Sequence, residues 1–352
     1  MKFAIVSGGT GGHIYPGIAI AEEIKRRIPS AEILFLGSEE GLEKDLIPRA
    51  GYAIKLIKAR ALLRKISYKA ISAPFVSSFG FFQALIILKK FSPRALISTG
   101  GYASMPAVLA AKICSIPIYI HEQNVLPGFT NRFFMKWAKK VFLSFEASKK
   151  FMDGIVTGNP IRREIIEYDR EKARRNLKIS SEEILVIVMG GSQGARRINE
   201  VMVSTLPLIN NDRLKVLHIV GTRDAALVDK WLTAHKNTFY QKVDYMYDIA
   251  EALAAADLVI SRAGATAIAE FLVKGIPMVL VPFPFSAEGH QELNAKVVAE
   301  AGAALVVKEI NLTPEKIVSL LAPSNLNLKI MKDNCKILAR PKAAEEIINA
   351  IL

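Results

Sequence analysis

The sequence is poor in cysteine, in long apolar runs and in acidic charge relative to basic, and each shortage excludes something. Only Cys114 and Cys335 occur in 352 residues, far apart and without C-x-x-C spacing. Neither a disulfide framework nor a zinc cluster is expected, and a reducing compartment fits. No stretch approaches the ~20 apolar residues needed to span a bilayer. Met1-Lys2 is followed by only four apolar residues before a glycine turn, too few for a secretory leader. A cytosolic chain, or one bound to a cytoplasmic surface, is expected. Zinc-finger spacing, RNP-type aromatic motifs and an obvious recognition helix are missing, so no nucleic acid partner is expected. There is no G-x-G-x-x-G, and Gly37 stands where a ribose-binding acid would follow the second strand, which argues against NAD. A G-x-x-x-x-G-K-[ST] loop, a D-x-D pair and a carboxylate cluster for Mg²⁺ are also missing, so no cofactor and no metal is expected.

What is present describes a folded chain: 51% hydrophobic and 23% charged residues over a length that favours two domains. The net charge of +14, from 47 Lys and Arg against 33 Asp and Glu, suits anionic lipid headgroups or phosphorylated small molecules, or is a basic surface with no dedicated partner.

Short β-branched runs alternate with amphipathic stretches, the pattern of βαβ units and a parallel sheet. The strand candidates are Phe3 to Val6, Ile33 to Leu36, Ala53 to Ile57, Ala95 to Ser98, Ile116 to Ile120, Val141 to Leu143 and Ile155 to Thr157. A second set comprises Ile184 to Met189, Val216 to Val220, Tyr240 to Val243, Leu258 to Ser261, Met278 to Val281 and Ala304 to Val307. The fold class read from this is α/β, two doubly wound parallel-sheet domains facing a cleft. Gly158-Asn159-Pro160 marks the boundary, giving domains 1–160 and 161–337, with a helical tail, 338–352, that packs back on the first.

Two glycine turns follow strands and precede helices: Gly8-Gly9-Thr10-Gly11-Gly12-His13 and Gly190-Gly191-Ser192-Gln193-Gly194. Such turns offer backbone N–H groups and a helix start to an anion. His13 is placed at the mouth of a helix with Pro16 near its start, as a base or as a capping residue. Gly100-Gly101-Tyr102 sits at the same sheet edge. His121-Glu122-Gln123-Asn124 is expected as a loop facing a wet cleft, because four buried polar residues would be costly without partners; Glu122 is a second candidate base. In the second half, Thr266 is expected as the N-cap of a helix carrying Glu270, and Gln291 suits sugar hydroxyls. Arg162, beside the linker, is either a phosphate ligand or a surface charge. Arg64, Lys65 and Lys69, then Phe75, Phe79 and Phe82, then Lys89 and Lys90 combine charge with rings, as an interfacial membrane contact requires; an ordinary core helix flanked by lysines has the same pattern.

Taken together and in order, these motifs, with Tyr15-Pro16-Gly17, Gly190 to Ala195, Ser261 to Thr266 and the tail's Ala339-Arg340-Pro341, resemble the peptidoglycan glycosyltransferases that add N-acetylglucosamine to undecaprenyl-pyrophosphoryl-N-acetylmuramoyl-pentapeptide. The resemblance spans nearly the whole chain. It implies a GT-B architecture, an inverting transfer without metal, UDP-N-acetylglucosamine and lipid I as substrates, an anionic membrane surface as peripheral contact and cell-wall synthesis proteins as partners. Carried over by motif, the donor contacts are Thr10, Gly11, Gly12, Asn124, Arg162, Ser192, Met246, Ala265, Thr266, Ala267, Ile268, Ala269, Glu270 and Gln291. Met246 would contact uracil through its backbone, where the family often has isoleucine, and His290 stands where some members have glutamine. The acceptor and its pyrophosphate are assigned to Gly9, His13, Gly100, Gly101 and Tyr102. Alternatives of the same architecture are another UDP-sugar glycolipid transferase or a UDP-sugar epimerase; a non-enzymatic nucleotide-sugar or lipid-binding protein is the alternative of a different class.

Overall fold

The computed structural model describes residues 1–59, 68–191, 194–232, 239–322 and 326–352, with side chains of 68–77 left aside. Arg64, Lys65 and Ser192 lie outside these residues, as do the side chains of Lys69 and Phe75. Two compact units result, Met1–Arg163 with Arg340–Leu352, and Glu164–Ala339.

In the first unit seven parallel strands, β1 (Lys2–Val6), β2 (Glu32–Ser38), β3 (Ala53–Ile57), β4 (Ala95–Ser98), β5 (Ile118–Glu122), β6 (Lys140–Leu143) and β7 (Ile155–Val156), are ordered β3-β2-β1-β4-β5-β6-β7. The period-2 pleat sends alternate side chains to opposite faces. Phe3 and Ile5 of β1 pack under the Gly11–Arg27 helix, and Ala4 and Val6 join the opposite layer with Ala107, Ala110 and Leu88. Strand order reverses at β1 and β4, so the turns that follow these two strands mark the switch point where ligands of such sheets bind.

The second unit repeats the plan. Its strands β8 (Ile184–Met189), β9 (Leu214–Ile219), β10 (Tyr240–Val243), β11 (Leu258–Ser261), β12 (Met278–Leu280) and β13 (Ala304–Val306) are ordered β10-β9-β8-β11-β12-β13. Here the reversal falls between β8 and β11, at the turns beginning Gly190 and Arg262.

The C-terminal helix Ala343–Ile351 belongs to the first unit. Ile347, Ile348 and Ile351 enter the core beside Phe3 and Ile20, each contributing about 2 kcal/mol by burial. Lys140 Nζ donates to the Ala350 carbonyl at 2.8 Å, and Arg27 binds Asn349 and the Glu345 carbonyl. Arg340 crosses Gly158 so closely that a Cβ there would lie 2.3 Å from the Arg340 Cβ, which is why the breaker cluster needs glycine.

Three local expectations are corrected by this fold. Pro16 lies in the second turn of its helix, which starts at Gly11. Gly264, not Thr266, is the N-cap of the Ala265–Lys274 helix. His121 and Glu122 end strand β5 instead of forming a loop, because β6 pairs with them through Phe142 and Leu143.

Candidate functional site

The first unit's switch point is built by two glycine turns that fit into one another. Gly9 and Gly101 adopt φ of +91° and +86°; a Cβ on Gly9 would lie 2.8 Å from the Tyr102 ring, and one on Gly101 2.2 Å from the Gly8 carbonyl oxygen. A Cβ on Gly100 would meet His13 Nδ1 at 3.1 Å. Side chains are thus excluded for packing reasons, and the closeness brings His13 under the Thr99 carbonyl. The Thr99 hydroxyl, buried with Ser7, lies 2.8 Å from the His13 carbonyl and fixes the first turn of the helix.

Glu43, fully buried, accepts from Ser38 N and Oγ at 2.7 Å and from the Gly9 amide at 3.0 Å. The Gly9 N–H is therefore committed to a carboxylate, which corrects its expected part in an anion cradle. Thr10 and Gly12 stay exposed at the helix mouth, where Thr10 makes no side-chain capping bond. Burial pushes the Tyr102 hydroxyl above its ordinary range.

His121, Glu122 and Gln123 are no more than 2% exposed, so the expected wet loop is dry. Its cost is met by partners within the segment and in the loop that follows it. Glu122 accepts from Asn124 N at 2.9 Å and Nδ2 at 3.3 Å, from Gly128 N at 2.9 Å and from Asn131 Nδ2 at 2.8 Å. Both carboxylate oxygens are engaged, one by Asn124 and the other by Gly128 and Asn131, so the group ties the loop that follows β5. His121, driven down to about 4 by burial, is neutral at pH 7. His13 is half-buried; its Nδ1 lies 2.9 Å from the Thr99 carbonyl and 3.1 Å from Gln123 Oε1. Arg162 is also buried rather than a surface charge, with its guanidinium 4.1 Å above the Tyr15 ring.

In the second unit the switch point opens into a cavity of about 580 Å³, lined by Gly190, Gly191, Gly194, the start of the Arg196–Thr205 helix, Ser261, Gly264, Ala267 and Gln291. Gly194, at φ +78°, approaches the Val220 carbonyl so closely that a Cβ would lie 2.4 Å away. Beneath it Asn199 Nδ2 donates to the Val220 carbonyl and Asp224, and Asn199 Oδ1 is 3.0 Å from Nε2 of His218, which burial lowers to about 3. Gln291 Oε1 accepts from the Phe283 amide at 2.9 Å, which turns its NH₂ group outward as a donor. Asn294, fully buried, ties the helix His290–Glu300 to the Ala263 carbonyl at 3.2 Å.

Of the other residues carried over for the donor, Ile268 is 0% exposed and offers only backbone, while Ala265, Thr266 and Glu270 are buried on the same helix. Ala269 and Met246 are half-buried and neither lines the cavity. The cavity adds residues the sequence reading passed over: Arg196, Arg197, Arg223 and Arg262. Arg262 is stacked 5.3 Å from the Phe283 ring and paired with Glu309. The Arg196-Arg197 pair directly after the second glycine turn was the signal that could have found them. A neighbouring cavity of about 730 Å³ shares Arg197 and Glu309 and is lined by charged side chains such as Lys296 and Glu300 as well as apolar ones such as Phe285 and Ile310, with neither glycine turn on its wall. Among the described residues no three His, Cys, Asp or Glu side chains cluster as metal ligands would.

Residues 3–143 match the glycosyltransferase family 28 N-terminal domain and residues 185–347 its C-terminal domain. The chain is 40% identical, over 100% of its length and 98% of the relative, to a protein of Desulforamulus reducens named UDP-N-acetylglucosamine–N-acetylmuramyl-(pentapeptide) pyrophosphoryl-undecaprenol N-acetylglucosamine transferase. Among solved structures it is similar to MurG of Acinetobacter baumannii, at 27% identity and a TM-score of 0.76 over 99% of this chain and 98% of that one. The UDP-GlcNAc 2-epimerase of Neisseria meningitidis, at 12% identity and a TM-score of 0.68 over 100% and 99% of the two chains, shares the fold alone. With two doubly wound units of the GT-B type and full-length relatives at this identity, the chain belongs to glycosyltransferase family 28.

Proposed function

We propose that this chain transfers N-acetylglucosamine from UDP-N-acetylglucosamine to the 4-hydroxyl of the muramoyl sugar of undecaprenyl-pyrophosphoryl-N-acetylmuramoyl-pentapeptide (lipid I), giving lipid II for peptidoglycan synthesis. The observation that carries this reading is the 40% identity, over the whole chain, to a transferase named for that donor and acceptor. The second unit's cavity suits a nucleoside diphosphate: glycine amides, a helix start and four arginines oppose the charge that grows on a leaving pyrophosphate. Gln291 donates to a sugar hydroxyl.

The chemistry is a single inverting displacement. The muramoyl hydroxyl oxygen forms a bond to the anomeric carbon, the bond from that carbon to the UDP β-phosphate oxygen breaks, and the hydroxyl proton passes to His13. His13 is preferred to Glu122 because Nε2 makes no hydrogen bond among the described residues, whereas the Glu122 carboxylate is enclosed by four donors. UDP release measured with and without lipid I tests the reading: release that needs the acceptor is expected, and ligand binding without acceptor-dependent release would defeat it. His13→Ala is expected to lower turnover by about 10²-fold or more, and turnover near that of the wild type would remove the base assignment.

Peripheral contact with an anionic membrane belongs to the same proposal. On the Tyr68–Phe91 helix the exposed Phe79, Phe82 and Ile86 share one face, while Ala84 and Leu88 pack into the core, which leaves a ring-bearing face available for such a contact. Lys58 lies 5.0 Å from the Phe79 ring, and exposed Lys89 and Lys90 close the helix. Phe129 and Phe133, also exposed, add rings with Lys136 beside Trp137. No described helix is long and apolar enough to cross a membrane. Cell-wall synthesis proteins remain partners by resemblance.

A further inference from the structure

A chain of hydrogen bonds behind His13 decides which of its two nitrogens holds a proton. Gln123 Nε2 sits 2.7 Å from the Thr99 carbonyl oxygen, an atom that only accepts, so the amide orientation is fixed with nitrogen toward Thr99 and oxygen toward His13. His13 Nδ1 then faces two acceptors, Thr99 O at 2.9 Å and Gln123 Oε1 at 3.1 Å, and must donate to them. The same Gln123 Nε2 lies 3.2 Å from His121 Nδ1, which must accept, so the His121 proton is on Nε2, 3.2 Å from the Gly158 carbonyl. Burial keeps His121 neutral, so its Nδ1 retains the lone pair this arrangement needs. The four groups form one directed chain, His13 Nδ1–H to Gln123, Gln123 to His121, His121 to the Gly158 carbonyl.

We infer that Gln123 and His121 are positioning residues that hold the His13 proton on Nδ1 and leave Nε2 as the lone pair, the tautomer a base needs if its outward nitrogen is to accept the hydroxyl proton. The catalytic meaning of this arrangement rests on the His13 base reading; the proton assignment does not. When Nε2 takes the proton, the imidazolium keeps its Nδ1–H bonds to Thr99 and Gln123, and no heavy atom has to move. The Thr99 carbonyl alone would still accept the Nδ1 proton, but Gln123 Oε1, itself oriented by His121, supplies the second acceptor that fixes the ring; with one acceptor the ring is freer to turn and to present the wrong nitrogen part of the time.

The chain has five histidines, few enough for ring ¹⁵N correlation spectra of the full-length ¹⁵N-histidine-labelled protein, with His13 assigned by its loss in His13→Gln. At about pH 8.5, above the ordinary imidazole range, the wild type is expected to show His13 protonated on Nδ1. Gln123→Met is expected to give a mixture of tautomers and about a tenfold or larger loss of kcat with little change in KM for UDP-N-acetylglucosamine. His121→Leu should follow Gln123→Met, whereas His121→Asn, whose amide oxygen replaces the Nδ1 acceptor, should restore much of the loss; a packing role alone would make leucine the milder change. An Nε2–H tautomer in the wild type, or spectra and turnover unmoved by Gln123→Met, would overturn the inference. Full turnover in His13→Ala alongside an Nδ1–H wild type would remove the base reading and leave the proton assignment standing.

Discussion

Glu122 and Glu43 are buried carboxylates held by hydrogen-bond donors, and neither forms an ion pair among the described residues. Removing such a group orphans its donors, which costs more than the bonds themselves contribute. Glu122→Ala is therefore expected to lower the stability of the first unit by about 3 kcal/mol, read by urea unfolding, while Glu122→Gln retains part of both stability and turnover; a base would lose turnover in the glutamine variant with stability intact. Trp137 and Trp231 lie one in each unit, so single-tryptophan variants report the two unfolding events separately. The buried histidines add an acid sensitivity. His121 is lowered to about 4 and His218 to about 3, both by burial. The unfolded chain takes up protons near pH 6.5 that the folded chain refuses, so stability is full above about 6.5 and falls as pH drops towards the folded values. Between about pH 7 and pH 5 each unit should lose roughly 2 kcal/mol, and His121→Asn should flatten the response of the first unit only.

At the scale of elements, the glycines divide into those that meet a neighbour and those that meet none. Gly101 and Gly51 have similar positive φ, +86° and +82°, but a Cβ on Gly101 would strike the Gly8 carbonyl and one on Gly51 finds nothing within 4 Å. Gly51→Ala should cost only backbone strain, about 1 kcal/mol. Gly101→Ala should cost about 3 kcal/mol and move His13, lowering kcat; if the donor is held mainly by the second unit's cavity, as proposed, KM for UDP-N-acetylglucosamine changes little. Steady-state kinetics beside thermal unfolding of both variants checks this. The strands themselves were legible, because β-branched runs such as Ile184 to Met189 carry a local signal. The end of β5 was not: His121 and Glu122 look like loop residues until Leu143 and Gly158 arrive from distant positions and Gly128 and Asn131 turn back from the following loop to pair with them. In the same way Gly9 reads as an anion ligand locally, and only Glu43, 34 positions away, shows its amide to be committed. Motif order pointed to the turns that the fold places at the two switch points, while many of the partners that decide each residue's part come from sequence distances no local pattern records. The arginines of the second cavity were visible in Arg196-Arg197 but lacked a reason to be singled out until the turn beside them closed on Val220.

At the scale of the molecule, the membrane proposal rests on the charge of +14 together with the exposed rings of the Tyr68–Phe91 helix. Flotation with anionic liposomes should weaken at high salt and after charge reversal at Arg64, Lys65 and Lys69 or at Lys89 and Lys90, and Phe79→Ser with Phe82→Ser should weaken it further; binding indifferent to all of these would end the membrane proposal. The last helix sets a different constraint. Residues 164–339 lie between the two pieces of the first unit, so during synthesis the second unit is finished first, while the groove over Phe3 and Ile20 waits for Ile347, Ile348 and Ile351. A ribosome that stops anywhere inside the second unit leaves the first one open as well, with apolar surface on display to chaperones and proteases. Translation thus carries its own proof of completeness: the unit that bears His13 cannot close on a chain whose second unit was never made.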